Sequence, residues 1–154
     1  MTDRISYREG TRADTAAIVD FQLRMARETE DVELDSATLH RGVGAVFDNS
    51  DLGRYFIAEL DGNVVASLLI TYEWSDWRAR TVWWIQSVFV VPEARRKGIY
   101  AGLYRHVLEL AGGDRTIAGI RLYVDRRNVP AQDVYTKLGM NGEHYLVFER
   151  MKEE

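Results

Sequence analysis

A β-branched and aromatic run from Ile85 to Val91 halts at Pro92, which cannot continue a central strand. Three cations follow at Arg95, Arg96 and Lys97, then Gly98. After it Leu103, Val107, Leu108 and Ala111 recur at helical spacing. Strand, basic turn, glycine and helix in that order constrain the fold more than any other stretch. The order aims the N–H groups of the first helical turn at whatever lies over the bend. Those groups and the positive end of the helix favour an anion, and Gly98 lets the anion approach the main chain.

The remaining elements arrange themselves around this bend. Ile5 and Tyr7 alternate with polar neighbours and predict a first strand. Thr11 and Asp14 have capping-box spacing ahead of a helix whose stripe is Ile18, Phe21 and Met25, ending near Thr29. An acidic link, Glu30 to Asp35, leads to Ser36, the expected N-cap of a second helix with inner face Leu39, Val43, Val46 and Phe47. Gly42 and Gly44 weaken that helix. Tyr55–Leu60 and Val64–Trp74 read as strands joined by Asp61-Gly62, a pair suited to positive φ at both positions. Ser75 to Arg80 forms a turn, and Val82 to Val91 the next strand. The helix after the bend runs from Ile99 to Ala111 and stops at Gly112-Gly113. Ile120, Leu122 and Val124, alternating with Arg121, Tyr123 and Asp125, predict a fifth strand. A short helix opens at Pro130 and ends at Leu138-Gly139. Tyr145 to Met151 is expected to close the sheet. The order β-α-α-β-β-β-α-β-α-β describes one mixed α/β domain over residues 1–154, with a mostly antiparallel sheet flanked by helices.

Composition narrows the function classes. A length of 154 residues suits one domain with a real core. The net charge of −4 argues against a nucleic-acid surface and makes the cluster at Arg95–Lys97 a local exception, better suited to a small anionic ligand. The absence of cysteine excludes disulfides, thiolate metal ligation and a cysteine nucleophile. His40, His106 and His144 lie far apart without metal spacing, so no metal is expected. The amino-terminal residues lack a signal-like apolar core and no window approaches a membrane span, so the expected location is the cytoplasm.

Arg95-x-x-Gly98-x-Tyr100 resembles the Arg/Gln-x-x-Gly-x-Gly/Ala signature of the Gcn5-related N-acetyltransferases, with Tyr100 in place of the usual glycine or alanine. Asn128-x-x-Ala131-x-x-x-Tyr135-x-Lys137-x-Gly139-Met140 resembles that family's later Asn-x-x-Ala-x-x-x-Tyr-x-Lys-x-Gly-Phe segment, with methionine for phenylalanine. The predicted element order also matches the family's, so the resemblance extends over nearly the whole chain. It implies an acetyl-coenzyme A-dependent N-acetyltransferase acting on a primary amine of a small molecule or peptide. Arg95, Arg96, Lys97 and Gly98, with the amides of Ile99, Tyr100 and Ala101, are then expected to hold the pyrophosphate. Val88, Phe89 and Val90 pair with the pantetheine arm, Asn128 contacts it, and Tyr135 reaches the thioester sulfur. A non-catalytic acyl-coenzyme A binding or sensing module of the same fold, or a nucleotide seat at the basic turn, is the rival expectation.

The chemistry sets requirements. A primary amine of pKa ~10.4 costs roughly 4–5 kcal/mol to deprotonate at neutral pH, which a carboxylate or a water chain eases. Glu73 is the candidate base, with Asp76 behind it. Gln86 stands where some relatives of that resemblance carry a catalytic glutamate, and as a neutral amide it orients a water at most. The acyl oxygen needs N–H donors, implied by the resemblance to lie beside a bulge near Phe89 or Val90. Proton transfer from a phenol (~10) to a thiolate (~8.5) is uphill by about 2 kcal/mol, so Tyr135 is expected to donate a hydrogen bond that can complete the transfer. Trp74, Trp77, Trp83 and Trp84 either wall an acceptor pocket or fill core and a subunit contact, which leaves a homodimer as an expectation. The acidic link with Glu73 and Asp76 hints at a cationic acceptor.

Overall fold

Asp61 and Gly62 take φ of 52° and 83°, the paired left-handed conformation of a two-residue hairpin. They join β2 (Arg54–Leu60) to β3 (Asn63–Ser75) in the computed structural model, which describes residues 3–153. Two compact units are distinguished, Met1–Arg121 and Leu122–Glu154.

The first unit carries a five-stranded sheet in the order β1-β2-β3-β4-β5, with β1 at Ile5–Glu9, β4 at Arg80–Val90 and β5 at Ile117–Arg121. The first four strands pair antiparallel, and β5 runs parallel to β4. A parallel neighbour requires a crossover, and α3 (Ile99–Gly112) supplies it. Helices α1 (Thr15–Glu30) and α2 (Ser36–Asp48) fill the link between β1 and β2. The result is the expected α/β fold, a mixed and mostly antiparallel sheet flanked by helices.

Helices cover both faces, which is why β2 reads as a nearly continuous apolar run. On one face Tyr55 and Ile57 pack with Ile18 and Val19 of α1 and Val43 of α2. Phe56, one residue out of phase and fully buried, faces α3 with its ring 5.9 Å from His106 and 6.4 Å from Trp83. Leu103 and Val107 of α3 are also fully buried. Each such side chain contributes about 1.5–3 kcal/mol. Gly102 lets α3 lie against β1, since a Cβ there would stand 1.8 Å from Tyr7 Oη.

Three expectations need correction. Asp35, not Ser36, caps α2, accepting the Thr38 N–H at 2.9 Å; a carboxylate at that position also meets the positive helix end. The helix itself forms as expected with Gly42 and Gly44 inside it, the cap and the apolar stripe outweighing their propensity cost. The fifth strand begins at Ile117 and ends at Arg121, since its ladder to β4 spans Thr81↔Ile117 to Trp84↔Arg121. Asp125, expected in that strand, instead accepts the Arg127 N–H at 2.8 Å in a turn. Tyr145 to Met151 forms no strand and is exposed, with Phe148 at 92%. Strand propensity records fit to a surface that a partner must supply, and the described residues of the sheet pair only β1 to β5.

The second unit contains α4 (Val129–Lys137). Asn128 caps it by accepting the Ala131 N–H at 3.2 Å. At its other end Gly139, with φ of 89°, closes a Schellman turn in which the Met140 and Gly139 N–H groups reach the Tyr135 and Thr136 carbonyls, both at 3.0 Å.

Candidate functional site

Strand β4 ends at Val90, and Pro92–Ala94 forms a 3-10 turn with proline in its first turn. The chain then enters the basic bend, where Arg96 has φ of 66° and Gly98, the N-cap of α3, has φ of 75°. Arg95 before them is extended, and a turn through left-handed residues ahead of a helix start presents main-chain N–H groups to an anion. A Cβ on Gly98 would meet no atom within 4 Å, so open space lies directly over the turn. The side chain of Arg95 is turned to another task. Its Nε donates to the Val90 carbonyl at 2.9 Å, and its two terminal nitrogens donate to the Glu28 carboxylate at 2.6 and 2.9 Å. Those bonds hold Glu28 below the usual carboxylate range and fasten the end of α1 to the end of β4. Lys97 Nζ reaches Asp3 at 2.6 Å, and the Arg96 side chain is exposed. Two of the three cations therefore already carry carboxylate partners, and an incoming anion meets main-chain N–H groups as well as charge.

Upstream of the bend, β4 loses its parallel neighbour. The β5 ladder ends at Trp84, so Ile85 to Val90 continue without it. On the opposite edge the register steps from Ser67↔Phe89 to Leu69↔Gln86, two residues of β3 against three of β4. This β-bulge lies at Ser87 and Val88, just before the Phe89–Val90 position expected for it. Ser87 has φ of 56°, a left-handed serine inside a strand that costs about 1–2 kcal/mol. Phe89 turns its ring into the core, 5.5 Å from Phe21, so only its main chain is available to a ligand. Val88 and Val90 are half-buried. A residue that sequence reasoning missed also belongs here. Gln22 of α1 is buried, and its Nε2 lies 3.4 Å from the Ser87 carbonyl oxygen. The available signal was an amide in phase with buried Ile18 and Ala26, where an apolar residue is the norm.

Further along the same face, Gln86 donates from Nε2 to Thr71 Oγ1 at 2.5 Å. Glu73 Oε1 accepts from Trp84 Nε1 at 3.1 Å and from Arg121 at 2.7 Å. These donors, Trp84 foremost, lower the Glu73 pKa. A base for an ammonium group needs a pKa moved toward neutrality, so the shift runs against that role. Trp83 is buried against Phe56, whereas Trp74 and Trp77 are 66% and 91% exposed. The sheet thus brings Glu73, Trp84, Gln86 and the bulge onto two adjacent strands. Asn128 and Tyr135 belong to the second unit, where Asn128 is exposed, its side-chain oxygen engaged in the α4 cap, and Tyr135 is half-buried on the same helix. The N–H groups of Ile99, Tyr100 and Ala101 occupy the first turn of α3, where no i−4 carbonyl exists within the helix.

Comparison with known proteins adds the following. Residues 16–140 match the model of the Acetyltransferase (GNAT) family. The structure of "a possible acetyltransferase" from Clostridium difficile 630 is 38% identical, with a TM-score of 0.91 over 97% of this chain and 99% of that one. A "predicted acetyltransferase with acetyl-CoA" from Clostridium acetobutylicum is 21% identical, with a TM-score of 0.73 over 95% and 96% of the two chains. The aminoglycoside N-acetyltransferase AAC(6')-Iy in complex with CoA is 16% identical, with a TM-score of 0.77 over 99% and 97%. The last two likenesses concern the fold alone. A search of curated proteins returned no match.

Proposed function

Because this chain belongs to the GNAT acetyltransferase family, we propose that it transfers the acetyl group of acetyl-coenzyme A to a primary amine of a small molecule or peptide. Attack is direct, without a covalent enzyme intermediate, as suits a chain without cysteine. The observation that carries this reading is the open bend ahead of α3, with positive φ at Arg96 and Gly98 and no atom within 4 Å of a Gly98 Cβ. A diphosphate fits such a cradle. First-turn N–H groups of Ile99, Tyr100 and Ala101 donate to it, Arg96 and Lys97 add charge, and Arg95 braces the bend through Glu28 and Val90. The pantetheine arm follows the edge of β4 that β5 leaves open, using the main chain of Val88 to Val90. When bound, acetyl-coenzyme A supplies an activated acyl group with a thiol leaving group.

The chain's own residues then divide the work. An N–H at the β4 bulge stabilises charge developing on the acyl oxygen. Asn128 positions the arm, and Tyr135 donates a hydrogen bond to the departing sulfur. Gln86 orients a water. Glu73, held as an anion by Trp84 and Arg121, attracts a cationic amine, and the amine proton leaves to solvent rather than to this carboxylate. Purified protein mixed with acetyl-coenzyme A and a panel of amines tests the reading by free-thiol release and product mass. Acceptor-dependent thiol release with one acetyl group gained by the amine is expected. Tight coenzyme A binding without acceptor-dependent release would favour a binding or sensing module, and displacement of coenzyme A by ATP at similar concentration would favour a nucleotide seat.

A further inference from the structure

The bulge in β4 has a feature that a regular ladder would not need. Ser87 is held in the left-handed region in mid-strand, and the carbonyl of that residue is met by a buried amide from another element. Gln22 is only 6% exposed, so its carboxamide does not face open solvent. Strain of this kind persists only where surrounding structure over-determines it, and such sites cluster where function depends on a set geometry.

We infer that Gln22 is a positioning residue whose grip on the Ser87 carbonyl sets the direction of the Val88 N–H and makes that N–H the donor to the acyl oxygen; this rests on the acetyl-transfer reading above. The Ser87–Val88 peptide is trans, so its carbonyl and its N–H point in opposite directions. Directing the carbonyl to Gln22 on α1 therefore turns the Val88 N–H away from α1. A bulge leaves its extra residue outside the regular ladder, and β5 does not extend alongside this part of β4. A donor fixed in advance needs no reorganisation when charge develops on the oxygen. Gln22 itself touches no reacting atom and acts only through Ser87.

Gln22→Met keeps the length of the side chain and removes the amide. The expected result is a kcat loss between about tenfold and about a hundredfold, the upper value approaching the loss of a whole donor. KM for acetyl-coenzyme A and coenzyme A affinity should stay within about twofold, because the bend that holds the diphosphate is untouched. A second readout needs no acceptor. The thioester carbonyl stretch of bound carbonyl-13C acetyl-coenzyme A should lie below its free value in the wild type and return toward it in Gln22→Met. Should that variant not fold, Gln22→Leu serves instead, since it fills the buried site and likewise removes the donor to the Ser87 carbonyl, and the same return is expected. A stretch and kcat both insensitive to these changes would overturn the inference, as would equal losses of kcat and coenzyme A binding, which mark a purely structural role. Wild-type protein that binds no acetyl-coenzyme A would end the transferase reading together with this one. Wild type that turns over while its stretch ignores Gln22 would end this one alone.

Discussion

Substitution of Gly98 by alanine and by asparagine separates backbone strain from occupation of the proposed diphosphate seat. The native φ of 75° lies where a Cβ costs roughly 1–2 kcal/mol for most residues, whereas asparagine tolerates it better. No atom lies within 4 Å of the added Cβ, so neither side chain clashes with the folded protein at that atom. Stability should thus fall in the order glycine, asparagine, alanine. For a unit of this size about 1 kcal/mol corresponds to a melting shift of about 2–4 °C. Affinity should follow a different order. A side chain over the turn pushes a bound diphosphate off its N–H donors, and each hydrogen bond to a charged group is worth about 1.5–3 kcal/mol. Loss of one such bond weakens coenzyme A binding by roughly 10- to 100-fold, and the larger asparagine should weaken it more than alanine does. Thermal melting of the free protein and titration calorimetry with coenzyme A measure the two orders independently. Affinities that track stability, or that do not change, would refute the assignment of the open space over Gly98 to the ligand.

Tyr135→Phe should slow turnover about tenfold or more while coenzyme A affinity stays near normal, and unchanged turnover would remove this phenol from the mechanism. Glu73 has its pKa lowered by Trp84 and Arg121, so the pH profile of kcat/KM should rise with titration of the acceptor amine; Glu73→Gln should raise KM for a cationic amine several-fold without altering the profile's shape, and a lost inflection near neutrality would restore Glu73 as the base. Gly102→Ala places a Cβ 1.8 Å from Tyr7 Oη and 2.3 Å from Cζ, so it should cost about 1–3 kcal/mol, and the loss should shrink in combination with Tyr7→Ala; additive losses in denaturant melts would count against this contact. Hydrogen bonds from Arg8 hold the buried Asp14 carboxyl below its ordinary pKa, with the Thr11 N–H assisting. Because the folded pKa is depressed, that stabilisation is complete above the unfolded value of ~3.9 and is lost as pH falls through the folded one. Asp14→Asn should therefore flatten the acid limb of the stability curve below about pH 4 and cost about 1–3 kcal/mol at pH 7, a figure discounted for the half-exposed Arg8. An unchanged urea midpoint at pH 7 would contradict it.

Local chemistry made much of this chain legible. Pro92, the three cations and Gly98 announce a strand that must stop and a helix that must start, because proline lacks a donor and glycine admits positive φ. Asp61-Gly62 and Leu138-Gly139 announce a hairpin and a helix end for the same kind of reason. Each of these signals acts over a few residues. Arg95 was legible as a cation but not as a brace, since its partner Glu28 is 67 positions away and meets it only across folded elements. The direction of the Glu73 shift follows from Trp84 and Arg121, brought alongside by strand register. Gln22 is marked in sequence only as an amide in phase with Ile18 and Ala26, and its partner Ser87, 65 positions later, meets it only in the fold. Tyr145 to Met151 shows the opposite error, apolar β-formers without a ladder. Sequence by itself determined where the main chain turns and which stretches bury a face, because those depend on φ, capping and periodicity. Tertiary structure alone decided which charges are already paired, where β4 bulges and which amide meets the bulge, because each is a contact between residues that chain order keeps apart.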